Sequence, residues 1–277
     1  MNSPRSSIAV LAFEDMSPDR DQGYFCDGLA EEIINDLSRV QGLRVTSRTS
    51  SFAFKDKSED IRVIGQKLNV ESVLEGSVRK TDNRLRITTQ LINAADGYHI
   101  WSEIYDRVVQ DVFAIQLEIA HSIARALKVE LSEEEKHAIE KMPTTSIDAY
   151  DFYLRGREFF YRNKRQYIRH AIEMFSRAIE KDSSYALAYA GRSDCHSYYY
   201  WYYGMSASDR KQAQEDSNKK VDLMLKEFEE GRKDPFHYEA KPYGKIIFVT
   251  LSPIIKNGEF VGCVQTVRLN NAVSENE

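Results

Sequence analysis

The feature that most constrains the fold of this sequence is the change of hydrophobic period within its first 131 residues. "SIAVLAF" (Ser7–Phe13) is a continuous apolar run typical of a buried strand, and "DGLAEEIINDLSRV" (Asp27–Val40) repeats its apolar residues at helical spacing. Asp27 is the predicted N-cap of that helix, because its carboxylate can accept hydrogen bonds from the free N–H groups of the first turn. "LRVTSR" (Leu43–Arg48) then alternates as a strand, so the chain opens with a β–α–β succession.

The rest of this block continues with a short helix, three strands and a final helix. Apolar spacing predicts a helix over Ile61–Leu68, and "TDNR" (Thr81–Arg84) between two alternating stretches predicts a hairpin turn. A last helix is predicted from Val112 to Leu131, after Asp111. The order βαβαβββα indicates an α+β domain in which helices cover a mixed sheet.

Residues 1–131 resemble the TolB amino-terminal-like domain of multidomain bacterial signalling proteins. The resemblance rests on "SIAVLAFEDMSPDRDQGYFCDGLAEEIINDLSRVQGLRVTSRTSSFAF", "IGQKLNV", "VLEGSVRK", "LRITTQLI" and "GYHIWSEIYDR". In that family the domain stands between a cyclase or winged-helix DNA-binding module and a tetratricopeptide array, and it has no established catalytic residues. The resemblance therefore implies a role in protein interaction or partner sensing.

A linker over residues 132–146 separates this block from a helical region over residues 147–205. Pro143 stops the preceding helix, and Ser146 can cap the next one. The small and aromatic residues that follow resemble those of the tetratricopeptide (TPR) repeat; they are Gly156, Phe159, Ala171, Phe175 and Ala178. The stretch "MSASDRKQAQEDSNKK" is nearly devoid of apolar residues, so we expect one complete repeat and a half repeat that lacks its second helix.

Six aromatic residues run consecutively from Tyr198 to Tyr203 at the end of the half repeat. Six neighbours in a row must cover every face of a helix, so we expect them to be packed under another element. The apolar stripe of Val221–Phe228, or a second subunit, is the predicted cover. The predicted partner-binding residues are Phe159, Tyr189, Tyr198, Tyr199, Tyr200, Trp201, Tyr202 and Tyr203.

A basic stretch upstream of the aromatic run raises a rival interpretation. Arg155, Arg157, Arg162, Lys164, Arg165 and Arg169 alternate with the aromatic residues 159–161. Basic and aromatic side chains together are what a groove for single-stranded nucleic acid uses. The net charge of −5 argues against nucleic acid as a partner, so a solvated basic helix face is the preferred interpretation.

The last block, residues 206–277, combines a charged helix with three strands. The helix is predicted from Asp209 to Glu230, and "KNGE" (Lys256–Glu259) predicts a tight turn between the last two strands. This block resembles the C-terminal half of a PAS sensor domain. The earlier strands of a PAS fold have no counterpart upstream, so no ligand pocket is expected. A homodimer formed through this segment is a further expectation.

The chain offers no residues at the spacings that catalysis or metal binding requires. Cys26, Cys195 and Cys263 lie far apart, which argues against a zinc site or a disulfide framework. The three aspartates between residues 15 and 21 lack the glycine and the terminal glutamate of a calcium loop. We therefore predict no catalytic residue, no cofactor and no bound metal.

These observations favour a non-catalytic bacterial signalling or scaffold protein that binds other proteins. The alternatives are a small-molecule sensor that uses the PAS-like segment, or the accessory part of an adenylate cyclase or transcriptional regulator whose output domain lies outside this sequence. A composition of 42% hydrophobic and 29% charged residues is typical of a globular protein. No secretory leader and no membrane-spanning run occurs, which predicts a cytoplasmic location, or an extracytoplasmic one if an anchor precedes the sequence.

Overall fold

A computed structural model describes residues 6–140, 142–203, 206–232, 235–240, 247–256 and 259–269. The side chains of Glu134, Ala138, Trp201 and residues 236–240, 247–248 and 265–269 lie outside this description. The chain divides into two compact units, residues 1–142 and 143–277. The predicted α+β class is confirmed, whereas the predicted division into four segments stays a prediction.

The first unit is built on a six-stranded mixed sheet. Its strands are β1 (Ser6–Val10), β2 (Glu14–Asp15), β3 (Leu43–Val45), β4 (Ser72–Thr81), β5 (Arg84–Asn93) and β6 (His99–Val108). The strand order is β3-β1-β4-β5-β6, and β2 pairs with β4. Strand β1 is parallel to both of its neighbours, while β4, β5 and β6 form an antiparallel meander. The predicted hairpin turn at Thr81–Arg84 is confirmed, because these two residues pair across it.

The described residues of this unit also form the α-helices α1 (Gly23–Ser38), α2 (Arg48–Phe52), α3 (Ile61–Leu68), α4 (Val112–Ala126) and α5 (Glu133–Glu140). The bounds of α3 agree with the prediction, and Asp60 caps it by accepting a hydrogen bond from the N–H of Arg62. Helices α1 and α4 pack on each other and against the sheet. Their fully buried side chains form the core with those of the central strands; they include Ile8, Leu29, Ile33, Leu74, Ile87, Ile115, Ile119 and Ile123.

Two helix boundaries differ from the prediction. Helix α1 begins at Gly23 after Gln22, so Asp27 lies within the helix and is not its N-cap. Tyr24 and Phe25 are buried at its first turn, and this packing extends the helix upstream of Asp27. At the other boundary, α4 ends at Ala126. Lys128, two residues further on, adopts a positive φ of 55°, and the chain then forms the separate helix α5. The single helix predicted over Val112–Leu131 is therefore wrong at its C-terminal end.

The second unit opens with four helices: α6 (Ile147–Tyr161), α7 (Arg165–Lys181), α8 (Ala186–Tyr203) and α9 (Ala207–Glu229). The predicted cap at Ser146 is confirmed, because its hydroxyl accepts a hydrogen bond from the N–H of Ala149 at 3.2 Å. The fully buried ring of Phe175 on α7 lies between Gly156 of α6 and Gly191 of α8. A Cβ atom at either glycine would lie within 2.7 Å of this ring, so the small residues set how closely the three helices approach.

A three-stranded antiparallel sheet follows the helices, with the order β7 (Phe236–Ala240), β8 (Ile247–Lys256) and β9 (Glu259–Leu269). Strands β8 and β9 pair from Ile247 to Lys256, which agrees with a hairpin at "KNGE". The central residues of that turn, Asn257 and Gly258, lie outside the described residues. One side of the sheet packs on α9, where Met224 and Phe228 form a buried cluster with Leu251.

Candidate functional site

The aromatic run forms the last turns of α8 (Ala186–Tyr203), at the end of the helix that faces the start of α9. Tyr198, Tyr199, Tyr200 and Tyr203 are half-buried, and 52% of Tyr202 is exposed. The side chain of Trp201 lies outside the described residues. The run therefore forms a partly exposed aromatic surface at the end of the helix and is not buried in a core.

Ring contacts hold this aromatic surface together. Tyr198 stacks on Tyr202 with ring centroids 4.5 Å apart, and it meets Phe160 of α6 edge-on at 6.5 Å. Tyr203 contacts both Tyr198 and Tyr199, with centroids 5.8 and 5.5 Å away. Pairs of this geometry contribute about 0.5–1.5 kcal/mol each beyond their buried area. The contacts fix the ring orientations, so the surface is largely preorganised.

The prediction that the stripe Val221–Phe228 covers the aromatic run is wrong. Helices α8 and α9 are antiparallel, with His196 beside Asp209 and Arg192 beside Asp216. This register places the stripe Val221–Phe228 near the start of α8, about 20 Å along the helix from the aromatic run at a rise of 1.5 Å per residue. Instead, Met224 and Phe228 pack on the C-terminal sheet. Residues of α6 and α7 border the aromatic run.

Two arginines of α7 contact the aromatic run. The guanidinium of Arg165 lies over the ring of Tyr203, 5.6 Å from its centroid. The Nε–H of Arg169 donates a hydrogen bond of 3.0 Å to the Tyr199 hydroxyl, which in turn donates to the carbonyl of Arg165 at 2.9 Å. The structure thus joins aromatic residues of α8 to basic residues of α7 that lie about 30 positions earlier. We call the surface formed by Phe160, Arg165, Arg169, Tyr198, Tyr199, Tyr202 and Tyr203 the aromatic–arginine surface.

The other two predicted partner-binding residues lie apart from this surface. Phe159 stacks on Tyr167 at 6.2 Å and contacts His170 at 5.4 Å, so its ring packs against α7. Tyr189 lies two turns before the aromatic run, and the guanidinium of Arg192 is 5.7 Å from its ring centroid. Within the described residues, no ring contact connects either side chain to Tyr198–Tyr203. Their roles in partner binding stay predictions.

A polar contact zone that apolar periodicity does not predict joins α8 to α9. The carboxylate of Asp216 accepts hydrogen bonds of 2.7 and 2.9 Å from Arg192, and the Ser193 hydroxyl donates to the carbonyl of Ala213 at 2.9 Å. Nδ1 of His196 lies 2.9 Å from Asp209. The expectation that α8 lacks a second helix is therefore wrong. The stretch poor in apolar residues forms that helix, because ion pairs and hydrogen bonds replace the usual apolar contacts.

Cys26 and Asp15 both lie close to the start of α1. Cys26 is fully buried within α1, and burial is the main cause that raises the pKa of its thiol. Asp15 accepts hydrogen bonds from the backbone N–H groups of Ser17 and Gln22, so it orders the loop before α1. Across the described ranges, no group of three His, Cys, Asp or Glu side chains is placed to hold a metal ion. None of the helices in these ranges is long and apolar enough to span a bilayer.

The chain is similar to one family profile and to one curated relative. The profile of the family described as "HilA/YgeH-like transcriptional regulator, second domain" matches residues 4–125. A Rhizobium meliloti (strain 1021) protein named "Putative adenylate cyclase 3" is 44% identical over 189 residues, which are 68% of this chain and 32% of the relative. This chain therefore spans about a third of the length of that curated relative.

Two solved structures show weaker likeness. The structure of TolB from Acinetobacter baumannii has 14% identity and a TM-score of 0.33, and the match covers 45% of this chain and 29% of that chain. The LpoB C-terminal domain from Escherichia coli has 18% identity and a TM-score of 0.31, with 37% and 82% covered. At these identities and TM-scores, neither structure transfers a function to this chain.

Proposed function

We propose that this chain is a protein-binding segment of a larger bacterial signalling or regulatory protein and that it has no catalytic activity of its own. The observation that carries the proposal is the aromatic–arginine surface, where exposed and half-buried tyrosines adjoin Arg165 and Arg169. Tyrosine and arginine are enriched among the residues that dominate the free energy of protein–protein binding. Because ring contacts already order the tyrosines, little conformational entropy is lost when a partner binds.

The relatives support the regulatory setting of this proposal. One relative is named as an adenylate cyclase, and the matching family profile is that of a transcriptional regulator domain. This chain spans only 32% of the cyclase-named relative, so the activity in that name can belong to its other part. We therefore favour an accessory segment that binds proteins on behalf of a cyclase or regulator.

The sensor alternative has less support. The helix-facing side of the C-terminal sheet is filled by Met224, Phe228 and Leu251, where a ligand of a sensor domain would need space. The predicted homodimer through this segment stays a prediction. The surface of the C-terminal sheet that faces away from α9 carries exposed apolar side chains, among them Ile254, Val261 and Val264.

Site-specific photo-crosslinking tests the proposed function. A photoreactive phenylalanine analogue replaces Tyr202 in one version of the chain and exposed Lys211 of α9 in the control version. We expect a partner to be captured in the native host from position 202 and not from position 211. The purified partner should then bind the wild-type chain at least about tenfold more tightly than the Tyr202→Ala variant.

Two results would contradict the proposal. Equal capture at both positions, or an affinity unchanged by Tyr202→Ala, would show that the aromatic–arginine surface is not the binding site. Production of cyclic AMP by the purified chain with ATP and a divalent cation would show that the chain is catalytic.

A further inference from the structure

The two arginines of the aromatic–arginine surface belong to a strongly basic stretch of an acidic chain. Residues 157–170 contain five arginine and lysine side chains and one carboxylate, whereas the whole chain has a net charge of −5. This stretch comprises the last residues of α6, the turn after it and the first residues of α7. A solvated helix face usually alternates positive and negative side chains. Local positive charge of this size in a chain of negative net charge therefore needs an explanation.

Two arginines of this stretch, Arg165 and Arg169, have no acidic partner in the described part of the chain. Arg165 contacts the ring of Tyr203, and Arg169 donates to the hydroxyl of Tyr199. Three other arginines in or next to these helices each bind a carboxylate four residues earlier: Arg155 binds Asp151 at 2.7 Å, Arg162 binds Glu158 at 2.5 Å, and Arg177 binds Glu173 at 2.8 Å. Arg157 contacts the hydroxyls of Tyr153 and Tyr161. The two arginines that contact the aromatic run therefore carry a charge that no carboxylate of the described residues neutralises.

The geometry holds these two guanidinium groups in place. Arg165 and Arg169 are four residues apart on α7, so they lie on the same helix face about 6 Å from each other. Tyr199 fixes both ends of this turn, since its hydroxyl accepts from Nε of Arg169 and donates to the carbonyl of Arg165. Only Nε of Arg169 is used in this bond, and its two Nη atoms remain available. A guanidinium positioned in this way can bind a carboxylate through two parallel hydrogen bonds.

We infer that Arg165 and Arg169 bind neighbouring carboxylates of an acidic segment on the protein partner, while Tyr202 contacts apolar side chains of the same segment. This inference rests on the proposed function and specifies the chemistry of the partner. Its carboxylates neutralise the two arginines, and its apolar side chains cover the ring that is 52% exposed. Hydrogen bonds to charged groups are stronger than those between neutral groups, so two such contacts can dominate the affinity of a short segment.

Single-stranded nucleic acid fits this surface less well than an acidic peptide. Bases stack on free aromatic faces, but Tyr198 stacks on Tyr202 at 4.5 Å, and the Arg165 guanidinium covers a face of Tyr203. The negative charge of the whole chain also repels a phosphate backbone, which carries its charge over a longer distance than a short acidic segment does.

Fluorescence anisotropy tests the inference with defined probes. The main probe is a short fluorescein-labelled peptide of Asp and Glu residues around a central Leu, and the comparison probes are its Asn/Gln counterpart and an oligothymidylate of equal charge. We expect the acidic peptide to bind the full chain and the Asn/Gln peptide not to bind. Arg165→Gln and Arg169→Gln should each weaken binding about tenfold. The matched control Arg177→Gln removes the same charge from the same helix and should change affinity less than about twofold.

A further variant separates a built site from general electrostatic attraction. Tyr199→Phe keeps every charge but removes the hydroxyl that holds Arg169, so we expect affinity for the acidic peptide to fall about threefold. Unchanged affinity in this variant, equal losses in Arg165→Gln and Arg177→Gln, or the absence of acidic-peptide binding would each overturn the inference. Tighter binding of the oligothymidylate, lost in the same arginine variants, would also overturn it in favour of a nucleic-acid site.

These outcomes are distinguishable from failure of the proposed function. A partner that crosslinks at position 202 and depends on Tyr202, yet binds equally well to Arg165→Gln and Arg169→Gln, would leave the proposed function in place. It would overturn only the assignment of an acidic segment.

Discussion

The guanidinium of Arg192 on α8 and the carboxylate of Asp216 on α9 form a two-bond ion pair, with N–O distances of 2.9 and 2.7 Å. Only 3% of the Asp216 side chain and 18% of the Arg192 side chain are exposed. Ser176 of α7 also accepts a hydrogen bond from Arg192 at 3.1 Å. The pair therefore connects three consecutive helices at a largely buried point.

We expect Asp216→Leu to lower the free energy of unfolding of the helical region by about 3 kcal/mol, because it leaves the buried Arg192 charge without its partner. The double variant Arg192→Met/Asp216→Leu should recover most of this loss, since it removes both charges together. Hydrogen exchange of the α8 and α9 amides, combined with urea unfolding, measures the effect locally.

Lys211→Gln provides the control for this pair. Lys211 lies on the same helix, and its ion pair with Glu215 is exposed, so the variant should change stability by less than about 0.5 kcal/mol. Equal effects of Lys211→Gln and Asp216→Leu would show that the buried pair has no special role.

The Arg192–Asp216 pair also shows what the sequence could not reveal about this region. Apolar periodicity predicted α6 and α7 well, because small and aromatic residues such as Gly156 and Phe175 recur at packing positions. The same criterion predicted a helix over Asp209–Glu230, close to the bounds of α9, but not its contact with α8. That contact depends on single polar residues matched across the two helices. A partner for Arg192 is recognisable only once three-dimensional contacts are known, because 24 positions separate it from Asp216.

Lys220 predicts a pH dependence for the same pair of helices. Only 7% of Lys220 is exposed, and burial lowers the pKa of its ammonium group to about 8, while the charge of Asp194 acts in the opposite direction. The amino group of Lys220 therefore binds its proton more tightly in the unfolded chain than in the folded chain. Stability should therefore rise with pH between about 8 and 10.5, by at most about 3 kcal/mol.

The variant Lys220→Met isolates this contribution. We expect it to be more stable than wild type at pH 7, with the difference in urea midpoint shrinking as the pH rises to about 10. Lys219→Met, which removes the exposed neighbouring lysine, serves as the control and should keep the wild-type dependence. A constant difference between Lys220→Met and wild type over this range would contradict the prediction.

The first unit illustrates a different limit of sequence reasoning. Capping rules selected Asp27 as the start of α1, because Asp is a favourable N-cap. In the structure the Asp27 carboxylate binds Lys55 at 2.7 Å, and the helix starts at Gly23 without a side-chain cap. Burial of Tyr24 and Phe25 stabilises the extra turn, and tertiary packing of this kind overrides a local preference. By contrast, α3 and the turn at Thr81–Arg84 depend on local chemistry, which the sequence does contain.

The three cysteines should differ in reactivity. Cys26 and Cys195 are fully buried, and burial raises the pKa of each thiol, whereas Cys263 is half-buried on β9. Because the thiolate is the reactive form, we expect iodoacetamide at pH 8 to alkylate Cys263 first and the other two more than about tenfold more slowly. Peptide mass spectrometry of native and urea-unfolded protein measures the order. Rapid alkylation of Cys26 in the native protein would show that the start of α1 opens frequently.

The contact of Phe175 with two glycines predicts an unusual response to alanine substitution. Alanine normally stabilises a helix interior by about 1 kcal/mol relative to glycine. At Gly191, however, an added Cβ would lie 2.5 Å from Cζ of the Phe175 ring, and at Gly156 it would lie 2.7 Å from Cε1. The ring is fully buried between the helices, so it has no free space into which it can move. We therefore expect Gly191→Ala and Gly156→Ala to destabilise the second unit by about 1–3 kcal/mol.

Two further variants make this prediction specific. Gly23→Ala should be neutral or slightly stabilising, because the added Cβ would meet no atom within 4 Å beyond its chain neighbours and the backbone of its own helix. Adding Phe175→Leu to Gly191→Ala should restore part of the lost stability, since the smaller side chain makes room for the methyl group. Thermal unfolding followed by circular dichroism compares the four variants with the wild type. A stabilising effect of Gly191→Ala would mean that α8 moves away from α7 at little cost, and that Phe175 does not determine the spacing of these helices.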